Sequence, residues 1–61
     1  PNNIIKGQSI IEENVVLGSG NVIINSIISN GDKMSMCYIE NSKISAGKTL
    51  EPFSKFIGQE Y

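Results

Sequence analysis

The sequence predicts an all-β chain wound into a parallel β-solenoid of about three coils over residues 1–61, and three observations predict it. From Ile11 an aliphatic residue returns at every sixth position, Leu17 and then Ile23, with Glu12 and Gly18 directly after the first two. That is the form of a hexapeptide repeat. The repeat also deviates from itself in a regular way. The sides Ile23-Ile24-Asn25-Ser26-Ile27-Ile28 and Ile39-Glu40-Asn41-Ser42-Lys43-Ile44 are each one residue short, and both carry Asn-Ser at the same point. Finally, the apolar content is mostly Ile, Val and Leu, with no Trp, which suits strands better than helices. Neither a period of 3.6 nor a plain hairpin alternation explains the pattern as well.

The sides follow in order. Counting back from Ile11 gives Ile5, and counting forward gives Leu17 and Ile23. Ile28 comes after five residues, Met34 after six, Ile39 and Ile44 after five each, and Leu50 and Phe56 after six again. Three sides close a triangular coil, so the inward residues are expected in three columns. The first is Ile5, Ile23, Ile39 and Phe56; the second is Ile11, Ile28 and Ile44; the third is Leu17, Met34 and Leu50. A second inward place lies two residues before each of these. It holds Ser9, Ser26 and Ser42 in one column and Asn3, Asn21, Cys37 and Ser54 in another, small or amide side chains that fit a narrow corner. Stacked Asn side chains can bond one another along the axis. Asn at the shortened corners is apt because it tolerates left-handed backbone angles.

The remaining column reads Val15, Asp32, Lys48. Either Asp32 and Lys48 meet on neighbouring coils as a shielded ion pair, or the turn swings both out to water. A buried pair adds little net stability but is costly to break from one side. The outward residue before each inward one is apolar early in the chain (Ile4, Ile10, Val16, Val22, Ile27) and polar or aromatic later (Lys33, Tyr38, Lys43, Thr49, Lys55). An apolar outer wall is expected to mark a contact with sister chains or with a preceding domain, the plainer alternative being scattered surface β-branched residues favoured by strand propensity. Solenoid ends need caps and three coils is near the minimum, so an isolated monomer is not expected; hexapeptide solenoids are commonly trimers, and a homotrimer is the expectation.

Composition narrows the function classes. With Lys and Arg numbering 5 against 6 Asp and Glu, there is no basic stripe for a nucleic acid. No apolar run approaches the roughly 18 residues of a membrane-spanning helix, and no signal-peptide pattern is present, so no membrane partner is expected. The single Cys37 excludes an internal disulfide and fits a reducing, cytoplasmic setting. Position 1 is Pro and not Met, which reads as a segment of a longer chain.

Hexapeptide coils of this type form left-handed parallel β-helices, an exception to the usual right-handed crossover. The order Asn3-Ile4-Ile5-Lys6-Gly7, then Val16-Leu17-Gly18-Ser19-Gly20-Asn21-Val22-Ile23-Ile24-Asn25-Ser26-Ile27-Ile28, then Pro52-Phe53, goes further than the generic repeat. It resembles the start of the β-helix in the bifunctional bacterial N-acetylglucosamine-1-phosphate uridyltransferase/glucosamine-1-phosphate N-acetyltransferase family. The resemblance covers nearly the whole chain, with a small deletion near Met36 to Ile39. The Asn-Ser-x-Ile corners also occur in β-helical tails of other sugar-nucleotide pyrophosphorylases.

The resemblance implies a cytoplasmic enzyme of cell-wall precursor biosynthesis that makes UDP-N-acetylglucosamine. It further implies an upstream nucleotidyltransferase domain, a trimerising β-helix, and Mg and acetyl-CoA as cofactors of the parent protein. The family's acetyltransferase site lies between subunits, mostly on later coils. Its Pro-Phe-Ala-Arg-Leu-Arg-Pro-Gly run matches Pro52-Phe53-Ser54-Lys55-Phe56-Ile57-Gly58-Gln59 in part. Lys55 takes the place of the first Arg, which makes it a substrate-binding candidate by resemblance. The second Arg, which contacts the sugar nucleotide in the family, falls on Ile57.

The residues themselves carry little chemistry. There is no His to act as the base that acetyl transfer on such scaffolds uses. Cys37 has no partner base, and its register points it into the core as a packed thiol. Ala46-Gly47-Lys48-Thr49 lacks the leading Gly of a phosphate-binding loop and reads as a solenoid turn; Gly18-Ser19-Gly20 reads as a tight corner. Glu12, Glu13, Glu40, Glu51 and Glu60 occupy outward or corner places without a second ligand set. No catalytic, cofactor-binding or metal-ligating residue is therefore expected in the segment. Its expected role is a trimerisation and spacer scaffold, the alternatives being a free-standing hexapeptide assembly protein or a small acyltransferase.

Overall fold

The structure, a computed structural model, describes residues 2–61, and among these every regular element is a strand. The strands are β1 (Ile4–Lys6), β2 (Ile10–Ile11), β3 (Val16–Leu17), β4 (Val22–Ile24), β5 (Ile27–Ile28), β6 (Lys33–Met34), β7 (Tyr38–Glu40), β8 (Lys43–Ile44) and β9 (Lys55–Ile57). They stack as a parallel β-solenoid of about three turns. Face A is the sheet β1-β4-β7-β9, face B is β2-β5-β8, and face C is β3-β6, all parallel. Isolated bridges carry faces C and B one coil further, through Lys33 with Thr49 and Lys43 with Glu60.

The register reproduces the columns read from the hexapeptide spacing. Ile5 pairs with Ile23, Ile23 with Ile39, and Ile39 with Phe56. Ile11 pairs with Ile28 and Ile28 with Ile44, while Leu17 pairs with Met34. The core is the middle of this prism: Ile23, Ile28, Met34, Ile39, Ile44 and Leu50 are buried, together with Cys37. Strands of two or three residues each turn one side chain inward, because a narrow prism has room for one aliphatic per side and coil, and those of the middle coils are the ones fully buried.

Polar residues of the second inward place bond the coils to one another. Asn3 Oδ1 accepts from the Asn21 backbone N–H at 3.0 Å and from Asn21 Nδ2 at 3.0 Å, and Asn21 Oδ1 accepts from the Cys37 N–H at 3.0 Å. On the next corner the hydroxyls of Ser9, Ser26 and Ser42 accept from the N–H of Ser26, Ser42 and Gln59. Each of those hydroxyls donates its own proton to a carbonyl of its own coil, at Lys6, Ile24 and Glu40. Two places lack such an oxygen, and there the amide of the following coil turns back on itself. Above Val15 the Asp32 N–H donates to Ser29 O, and above Cys37 the Ser54 N–H donates to Glu51 O. Every buried side-chain N or O among the described residues has a partner, as a buried polar group must to avoid its desolvation cost.

The Asp32–Lys48 contact forms, but not as an ion pair. Asp32 is fully buried; its Oδ1 accepts from the Lys48 backbone N–H at 2.7 Å and its Oδ2 from the Ser29 N–H at 3.0 Å. The Lys48 ammonium instead lies 5.0 Å from the centroid of the Tyr61 ring. The expectation of a shielded pair fails because an inward lysine stem would not fit the narrow corner, whereas its amide already points at the carboxylate.

The two ends of the prism differ. Tyr61 sits 5.3 Å from the Phe56 ring, and with Lys48 across it this aromatic pair covers the last coil. Beneath it Ile39 and Ile44 are fully buried. At the other end Ile5 is 47% exposed, with Ile11 and Leu17 half-buried.

Candidate functional site

Each corner of the prism turns through one left-handed residue per coil. Between faces A and B these are Gly7, Asn25, Asn41 and Gly58; between B and C they are Asn14, Gly31 and Gly47. These are residue types that adopt positive φ at little cost. The corner between C and A differs: after Asn2 and Gly20 it uses Met36, with φ of 53°, and Phe53, with φ of 67°. Bulky residues in this region are strained by about 1–3 kcal/mol each. Both side chains also stand out in solvent, Met36 at 43% and Phe53 at 79% exposure. The Phe53 N–H donates to Met36 O at 2.8 Å, so the two project one above the other as an apolar ridge.

Beside the ridge, face C carries a shallow groove of about 250 Å³. Its floor is the backbone over Met34 and Leu50. One wall is the outward row Val16, Lys33, Thr49, and the other is Gly18 and Ser35. Gly18 keeps that wall low: a Cβ there would meet Ser35 Oγ.

The apolar outer residues of the early chain are not one wall. Ile4 and Val22 stand on face A, Ile10 and Ile27 on face B, and Val16 on face C. In the first coil Ile4, Ile10 and Val16 are 47%, 54% and 56% exposed, so they form a belt around that coil. The sequence alternation identified the outward places; one turn of the coil distributes them over three faces.

The chemistry-bearing residues scatter. Lys55, the substrate-binding candidate, points outward from β9 in register with Tyr38 and is exposed. Cys37 is buried, its Sγ lying 3.3 Å from Ser35 O and 3.4 Å from Glu51 O, a packed thiol in its column. The glutamates are outward, and Glu12 Oε1 accepts from the Asn30 N–H. Among the described residues no group of three His, Cys, Asp or Glu is placed to hold a metal, and no helix is long and apolar enough to cross a membrane.

One polar pair lies on face A: the Tyr38 hydroxyl donates to Glu40 Oε1 at 2.9 Å. That bond, with the carboxylate's negative charge behind it, raises the Tyr38 pKa above the usual phenol value. A phenol with a raised folded pKa contributes stability below its unfolded pKa and loses it as pH rises through the folded value. In a Tyr61→Phe background, phenolate absorbance is expected to show Tyr38 titrating lower once Glu40→Gln removes the charge. An unchanged titration would mean the pair does not persist in solution.

Comparison with protein-family models, curated proteins and solved structures found no match to this chain.

Proposed function

We propose that this chain is a self-assembling β-solenoid segment, a homotrimerising scaffold in a cytoplasmic protein similar to the bifunctional uridyltransferase/acetyltransferase family. The observation that carries the reading is the surface of the first coil, where Ile4, Ile10 and Val16 are about half exposed on three different faces. Water-exposed aliphatics in such number on a chain of 61 residues mark a contact surface. The short prism has little interior of its own, and a small domain gains from burying the face A and face C members of that belt, Ile4 and Val16, against copies of itself.

The order of hexapeptide sides supports the family resemblance, and with it an upstream nucleotidyltransferase domain that the solenoid holds in threes. In this reading acetyl-CoA and Mg belong to other parts of the parent protein. Lys55, exposed on β9, is the residue that the resemblance puts forward for a sugar-nucleotide substrate.

Light scattering on the chain tests the assembly. A mass of about 20 kDa, three times 6.6 kDa, is expected. A mass of one chain at every concentration measured would sink the reading.

A further inference from the structure

We infer that the copies join by a ridge-in-groove contact, Met36 and Phe53 of one copy seating in the face C groove of the next. The inference rests on the assembly reading above and names the surface that performs it. Three features of the structure lead to it.

The ridge is strained where it need not be. Corners of this prism are otherwise turned by Gly or Asn, and the same corner uses Gly20 one coil earlier. Holding two large apolar side chains outward in left-handed backbone costs folding energy and gains little packing within the chain: Met36 rests over Gly20 but is still 43% exposed, and Phe53 is 79% exposed. Docked against a second copy, the same side chains bury their apolar surface and offset the strain.

The heights agree. Met36 follows Met34 by two residues on one coil, and Phe53 follows Leu50 by three. A rotation about an axis parallel to the prism does not change height. It therefore brings Met36 of one copy level with Met34 of the next, and Phe53 level with Leu50, which are the two floor positions of the groove. Ridge and groove are different surfaces of the same chain, so the contact is head-to-tail around a ring, and a three-fold rotation closes it.

The flanks agree as well. With the ridge seated, face A beside it meets the outer wall of the groove, row against row. Val22 comes level with Val16, and Tyr38 with Lys33. The Tyr38 hydroxyl carries the Glu40 carboxylate at 2.9 Å, so an aromatic ring and a negative charge meet the Lys33 ammonium.

Two variants test the contact from opposite sides. Met36→Gly/Phe53→Gly removes the ridge and relaxes the backbone, so the monomer is expected to fold at least as well as before. Thr49→Trp fills the groove from an exposed strand position that favours aromatics. Each alone is expected to weaken trimerisation by about 30-fold or more, the scale of losing a central apolar anchor. Mixed together, the two are expected to give a dimer, because an intact ridge then meets an intact groove once. Sedimentation velocity reads the two variants, their mixture and the unmodified chain, with circular dichroism confirming the fold. An unmodified chain that trimerises while both variants do so equally well would overturn this contact and leave the assembly reading standing. An unmodified chain that stays monomeric would overturn both.

Discussion

Replacing Asp32 with alanine is expected to destabilise the fold by roughly 1–3 kcal/mol, because the Lys48 amide is left without an acceptor inside the prism while the Ser29 amide keeps only its bond to Ile44 O at 3.2 Å. The Lys48 N–H reaches Oδ1 at 2.7 Å and the Ser29 N–H reaches Oδ2 at 3.0 Å, around a side chain with no exposed surface. Asp32→Asn retains one acceptor oxygen and is expected to lose about 1–2 kcal/mol. Lys48→Met is the diagnostic control. If the lysine contributes its backbone amide and a stack on Tyr61, the substitution changes stability by no more than about 1 kcal/mol. Urea unfolding of the three variants measures this. A loss at Lys48→Met equal to that at Asp32→Ala would restore the ion pair that the geometry replaces.

Ile39→Ala is the second large effect, expected at about 2–5 kcal/mol. Ile39 lies on β7 between Ile23 and Phe56 in the longest column and is completely buried. The gap left behind is lined by rungs held in place by their own ladder bonds, so it cannot collapse easily. Ile5→Ala removes the same atoms from the same column at the open end, where the side chain is already 47% exposed. It is expected to cost about 1 kcal/mol. Comparable losses at the two positions would mean that the column does not close over its middle in solution.

The winding and its columns were legible in the sequence because the prism admits one aliphatic per side, so each buried residue leaves a mark five or six places from the last. The short sides at Asn25-Ser26 and Asn41-Ser42 were legible for a related reason, since the same corner recurs once per coil. Cys37 and the Asn3–Asn21 stack followed from the same count. What was not legible depends on direction within a residue. Asp32 and Lys48 were placed together, but only coordinates distinguish an amide from an ammonium reaching the carboxylate. Met36 and Phe53 carry no turn chemistry, and their corner is visible in the sequence only by stepping from Gly20 through one coil to Met36 and through another to Phe53. The belt of Ile4, Ile10 and Val16 reads as a single stripe until the chain is bent into three faces.

One inward oxygen on each of Asn3, Ser9, Ser26 and Asp32 receives an amide from the turn that comes later in the chain. Synthesis delivers residues in that same order, so acceptors are laid down before the donors that need them. A nascent solenoid can then add one finished layer after another, each new layer templated by the one already made. A chain refolding from urea has no such schedule, and layers can start anywhere and meet out of step.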